Sequence, residues 1–142
     1  MRRRAVVLAL LVFVVSACQR RRAQPTPAEM REMESLMHLT FPKSTRVLLW
    51  DAGRGIDEYL QLKLELDRAD LEPFLASSPF RLKPLREGKH GALGVDEGPW
   101  DPDRAVHLLS EAAELPSGKW INLGIDDGRG AKIVAYIFYF GT

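Results

Sequence analysis

The 142-residue sequence predicts an α+β fold: a small antiparallel sheet of about four strands in two hairpins, with two or three helices packed mainly on one face. Three observations lead there. Leu60, Leu62, Leu64 and Leu66 alternate with Gln61, Lys63, Glu65 and Asp67, the period of two that gives a strand one buried and one wet face. Residues 131–140 are apolar on both faces, as in a strand covered from both sides. Helix-start signals at Thr26, Asp70 and Asp101 each precede apolar residues at helical spacing.

The elements follow in order. Thr26-Pro27-Ala28-Glu29 opens the first helix: Thr26 caps, Pro27 suits the first turn and Glu29 completes a capping box. Met30, Met33 and Met37 recur on one side, and Pro42 ends the segment. Residues 46–51 form a short strand, with Val47, Leu48, Leu49 and Trp50, before the turn Ala52-Gly53-Arg54-Gly55. The leucine strand comes next. Asp70 then caps a short helix carrying Leu71, Phe74 and Leu75, with Pro73 in its first turn. Residues 79–100 are irregular. Asp101-Pro102 starts a further helix with Val106, Leu109 and Ala113 on one side. Ile121, Leu123 and Ile125 alternate in a third strand, and Asp127-Gly128 turns the chain into the last.

The N-terminal 18 residues are of another kind. Arg2-Arg3-Arg4 is followed by an apolar run from Ala5 to Val15, then Ser16, Ala17 and Cys18, the only cysteine. Eleven apolar residues are too few to span a bilayer, which takes about 20. They match the h-region of an export signal. Val15-Ser16-Ala17-Cys18 resembles the lipobox of bacterial lipoproteins. The resemblance implies cleavage after Ala17, a thioether-linked diacylglycerol on Cys18 and acylation of the new amino group. It divides the chain into a signal peptide (1–17), a lipidated cysteine with a basic tether (18–25) and a single α+β domain (26–142). Two or more acyl chains hold a protein firmly on a membrane. Gln19, in place of the aspartate that favours inner-membrane retention, leans toward the outer membrane of a Gram-negative host. The tether carries Arg20, Arg21 and Arg22, suited to an anionic headgroup layer. The globular part loosely resembles small uncharacterised bacterial lipoproteins, which implies no activity.

Loss of the signal leaves 17 basic against 19 acidic residues, a charge of −2, on a chain long enough for one domain with a core. A mildly acidic domain argues against a nucleic-acid partner. The loop Asp96-Glu97-Gly98-Pro99-Trp100-Asp101-Pro102-Asp103 has calcium-type ligands without EF-hand spacing. Met30, Met33, Met37 and His38 offer soft ligands to Cu(I), but methionines at that spacing usually pack a helix onto a core. His90 reads as an exposed loop residue, and His107 as a mid-helix one. No cofactor, metal or paired catalytic set is predicted.

The candidates for a binding face are Trp50, Trp100, Asp126 and Asp127. The expected function is a lipid-anchored envelope binding or accessory module, facing the periplasm or the outside. It is held on the membrane through Cys18 and has an envelope protein or polymer as its partner. Two alternatives stand beside it. One is a tethered hydrolase of envelope polymers using carboxylates among Asp51, Asp57, Glu58, Asp126 and Asp127. The other is an inhibitor or immunity-type lipoprotein presenting residues 79–100.

Overall fold

The leucine alternation becomes the second strand of one six-stranded antiparallel sheet, seen in a computed structural model that describes residues 24–53 and 58–141. The strands are β1 (Arg46–Gly53), β2 (Tyr59–Asp67), β3 (Arg86–Glu87), β4 (Leu108–Glu114), β5 (Trp120–Asp126) and β6 (Lys132–Phe140). Their order across the sheet is β1-β2-β6-β5-β4-β3. Among the described residues two short α-helices accompany them, α1 (Pro27–Met37) and α2 (Leu71–Ala76). The expectation of an α+β fold with about four strands in two hairpins is therefore corrected: the domain is dominated by a single sheet of six.

The correction has a physical source. Residues 101–113, expected as a helix, are a 3-10 turn at Pro102–Arg104 followed by β4. Asp101 caps nothing with its side chain; its Oδ1 accepts instead from Lys63 Nζ at 2.7 Å and Tyr136 OH at 2.9 Å. Val106, expected on one side of that helix with Leu109 and Ala113, is 68% exposed. β4 shows no period-two alternation of apolar residues: the adjacent Ser110 and Glu111, on opposite faces, are both buried. Glu111 is compensated by Arg86 Nε at 2.7 Å and Lys83 Nζ at 3.7 Å. The Arg86 guanidinium pulls the Glu111 carboxyl down to about 2. His107 lies just before β4, not within a helix.

Other elements form where their local chemistry puts them. Thr26 Oγ1 accepts from Glu29 N at 3.2 Å, and Glu29 Oε2 accepts from Thr26 N at 2.7 Å, a complete capping box. α2 follows a 3-10 turn at Arg68–Asp70; the Asp70 carboxylate accepts from Ser44 Oγ and gives no cap bond.

β6 lies between β2 and β5, and its two faces meet different covers. Ile133, Ala135, Ile137 and Tyr139 join the leucines of β2, Ile121, Leu123 and Ile125 of β5, and Met33, Met37, Phe74 and Phe80 in the main core. On the opposite face Val134 and Tyr136 pack with Leu93 and Trp100 of the long β3–β4 connection. Gly124 permits this cover, because a Cβ there would stand 2.8 Å from Leu93 Cδ1. Gly91, at φ +80°, lets the connection cross β4 and β5; its Cβ would meet Asn122 Oδ1 at 2.5 Å. Among the described residues no helix is long and apolar enough to cross a membrane.

Candidate functional site

The two candidate aspartates lie at the β5–β6 turn and serve different partners. Asp126 is fully buried. Its Oδ1 accepts from His107 N at 3.2 Å and Gly128 N at 3.1 Å, and its Oδ2 from Val106 N at 3.2 Å and Arg129 Nε at 2.6 Å. Burial works to raise its pKa; the Arg129 bond and three backbone N–H groups outweigh it, so the carboxyl stays below its ordinary value. Asp126 thus pins the end of the β3–β4 connection to the sheet. Asp127 Oδ1 lies 2.5 Å from His107 Nδ1, and Glu87 Oε1 lies 3.7 Å from His107 Nε2. The Asp127 bond raises the His107 pKa above its ordinary value, with Glu87 and Asp126 adding to it.

The two tryptophans lie on opposite faces. Trp100 is 2% exposed; its Nε1 donates to Leu93 O at 2.8 Å, and its ring meets Tyr136 edge-on at 5.4 Å. Trp50 packs half-buried against the main core, and its Nε1 has no hydrogen-bond partner among the described residues. Trp120, 38% exposed, shares a row of the sheet with Tyr59 and Phe140.

The structure does not gather Trp50, Trp100, Asp126 and Asp127 into one site. Asp51 and Asp126 are three strands and four residue steps apart in register, or about 19 Å. That exceeds the 5–9.5 Å spacing of a glycosidase pair. Asp51 accepts from Tyr59 OH at 3.0 Å, and Glu58 pairs with Lys119. Asp57 and Cys18 lie outside the described residues.

In the acidic loop, Asp101 binds Lys63, Asp103 binds Lys89 at 2.9 Å, and Asp96 Oδ1 accepts from Asp103 N at 2.9 Å. Burial acts to raise the Asp101 pKa, but the bonds from Lys63 and Tyr136 hold it below its ordinary value. Burial, then the bond to Asp101, pushes Tyr136 well above its ordinary value. Met33 and Met37 are buried in the core, with Met30 packed against it. Among the described residues no group of three or more His, Cys, Asp or Glu is arranged to hold a metal ion.

The concavity the sequence did not disclose runs along β1. It is an open groove of about 1160 Å³, bordered by α1, by β1 and by the turn at Glu97–Trp100. Residues of α1, the β1–β2 hairpin, the turn at Glu97–Trp100 and Tyr139 of β6 meet there, so no sequence pattern marks it. The one hint is Leu48, which falls at an irregularity in the β1–β2 register between Val47 and Leu49 and stands 37% exposed. No family model, curated protein or solved structure matches the chain.

Proposed function

We propose that this chain is a lipid-anchored protein of the cell envelope that acts as a binding or accessory module. The observation that carries the reading is Val15-Ser16-Ala17-Cys18 at the end of the apolar run. Lipidation would consume the only cysteine, so the folded domain stands without a disulfide or a thiol nucleophile. Support for a non-catalytic role comes from the carboxylates. Asp126, Asp127, Asp101 and Glu58 are each tied to a neighbouring cation or histidine, and Asp51 lies far from Asp126.

Metabolic labelling with a tagged fatty acid, followed by membrane fractionation, tests the anchor. The wild type takes up label and sediments with membranes; Cys18→Ser takes up none and is released. Unchanged labelling and retention in Cys18→Ser would refute the assignment.

A further inference from the structure

β1 is an edge strand, eight residues long, with β2 on one side only. Among the described residues the alternate backbone groups facing away from β2 have no strand partner; at Val47 the carbonyl instead accepts from Gln24 Nε2 at 2.8 Å. Such an edge is a template for one more strand unless something covers it. Here the edge lies in a groove with two lips. One lip is α1, presenting Glu29, Glu32 and Leu36; the other is the turn carrying Glu97 and Pro99. Between them β1 itself offers Leu48, Leu49 and Asp51.

The charge is one-sided. Among the described residues lining the groove are five carboxylates, Glu29, Glu32, Asp51, Glu58 and Glu97, and no lysine, arginine or histidine. Glu58 is matched by Lys119, whereas Glu32 and Glu97 are exposed and make no ion pair among the described residues. An added strand sends its side chains alternately to the two lips, and each lip carries both carboxylate and apolar surface.

We propose that the groove along β1 binds an extended, basic segment of a partner protein by strand addition. Backbone pairing along β1 supplies the ladder. Lysines or arginines of the partner meet Glu32 and Glu97, and aliphatic side chains meet Leu36, Leu48 and Leu49. The idea deepens the binding-module reading and rests on it. It is read through peptide affinity, not lipid labelling, so either can fail alone.

The test uses the full chain in detergent and a fluorescent eight-residue probe, Lys-Val-Val-Lys-Lys-Val-Val-Lys, followed by anisotropy. The probe is expected to bind, with affinity falling as salt rises, and a glutamate-for-lysine version is expected not to. Glu32→Lys with Glu97→Lys should weaken binding by about tenfold or more. Its circular dichroism and melting should match the wild type, since both side chains are exposed and in no ion pair among the described residues. N-methylation of alternate probe residues should abolish binding in one register and spare it in the other.

Failure of the probe to bind, equal affinity of the double variant, or indifference to both N-methyl series would overturn the proposal. So would two other results. Tighter probe binding after replacement of Arg20, Arg21 and Arg22 by serine would mean that the chain's own tether fills the groove. A dimer dissolved by the probe would mean that a second copy does.

Discussion

Removal of the Asp126 carboxylate is the sharpest probe of how this sheet holds its long connection. Four hydrogen bonds end on one buried side chain, three from backbone N–H groups and one from Arg129. Hydrogen bonds to a charged group contribute about 1.5–3 kcal/mol each, but Val106 and His107 are exposed, so water re-solvates part of what is lost. Asp126→Ala should therefore cost about 3–4 kcal/mol, a fall in Tm of about 10–20 °C for a domain this size. Asp126→Asn is the finer test. One oxygen can still accept from His107 and Gly128, but the amide then faces the Val106 and Arg129 donors, for a cost of about 2 kcal/mol.

Thermal unfolding followed by circular dichroism measures both variants. The pH dependence supplies the check. Because the folded carboxyl titrates below its ordinary value, its stabilisation is present above the ordinary value near 3.8 and is lost as pH falls through the folded value. The gap between wild type and Asp126→Ala should be full at neutral pH and close in acid. If both variants unfold within about 0.5 kcal/mol of wild type at neutral pH, the pinning role is wrong.

The remaining predictions concern neighbouring features. The Asp127 bond raises the His107 pKa above its ordinary value, so its contribution is present below about pH 6.5 and is lost as pH rises through the folded value. Denaturant midpoints of His107→Gln and wild type should differ below about pH 6.5 and converge as pH rises; the reverse order would refute the pairing. Gly91→Ala places a Cβ 2.5 Å from Asn122 Oδ1 at a positive φ, and should cost about 1–3 kcal/mol with faster hydrogen exchange across residues 88–107. Trp50→Phe removes a buried donor that has no partner, so its stability should stay within about 1 kcal/mol of wild type; a loss above about 2 kcal/mol would mean that Nε1 has an acceptor.

What could be read from sequence was local. The capping box at Thr26 and Glu29 is satisfied within one turn, and the β2 leucines declare their face residue by residue. Double-sided apolarity marked β6, and the structure sets it between β2 and β5 with a cover on each face. β4 escaped because its buried positions include Ser110 and Glu111, whose partners Gly88 and Arg86 come from over twenty residues away. An aspartate-proline pair at 101–102 then looked like a helix start, when the carboxylate was committed to Lys63 and Tyr136. Asp126 was singled out for a binding face, yet its burial depends on Arg129 and on the approach of residues 106–107. The groove along β1 combines residues 29–36, 48–53, 58–61, 97–100 and Tyr139, a neighbourhood that exists only once the sheet has formed.

The position of β6 also sets an order of events. It is the seam between the β1–β2 hairpin and the β3–β4–β5 meander, and of the described strands it is the last to be made. Until it emerges, β2 pairs among the described strands with β1 alone, and no ladder joins the two halves. A nascent chain of this kind stays open until its final strand is free, since long-range pairing must wait for both partners. Assembly of the whole sheet therefore waits on residues 132–140, and the order of synthesis, more than the strength of any one contact, decides when the domain closes.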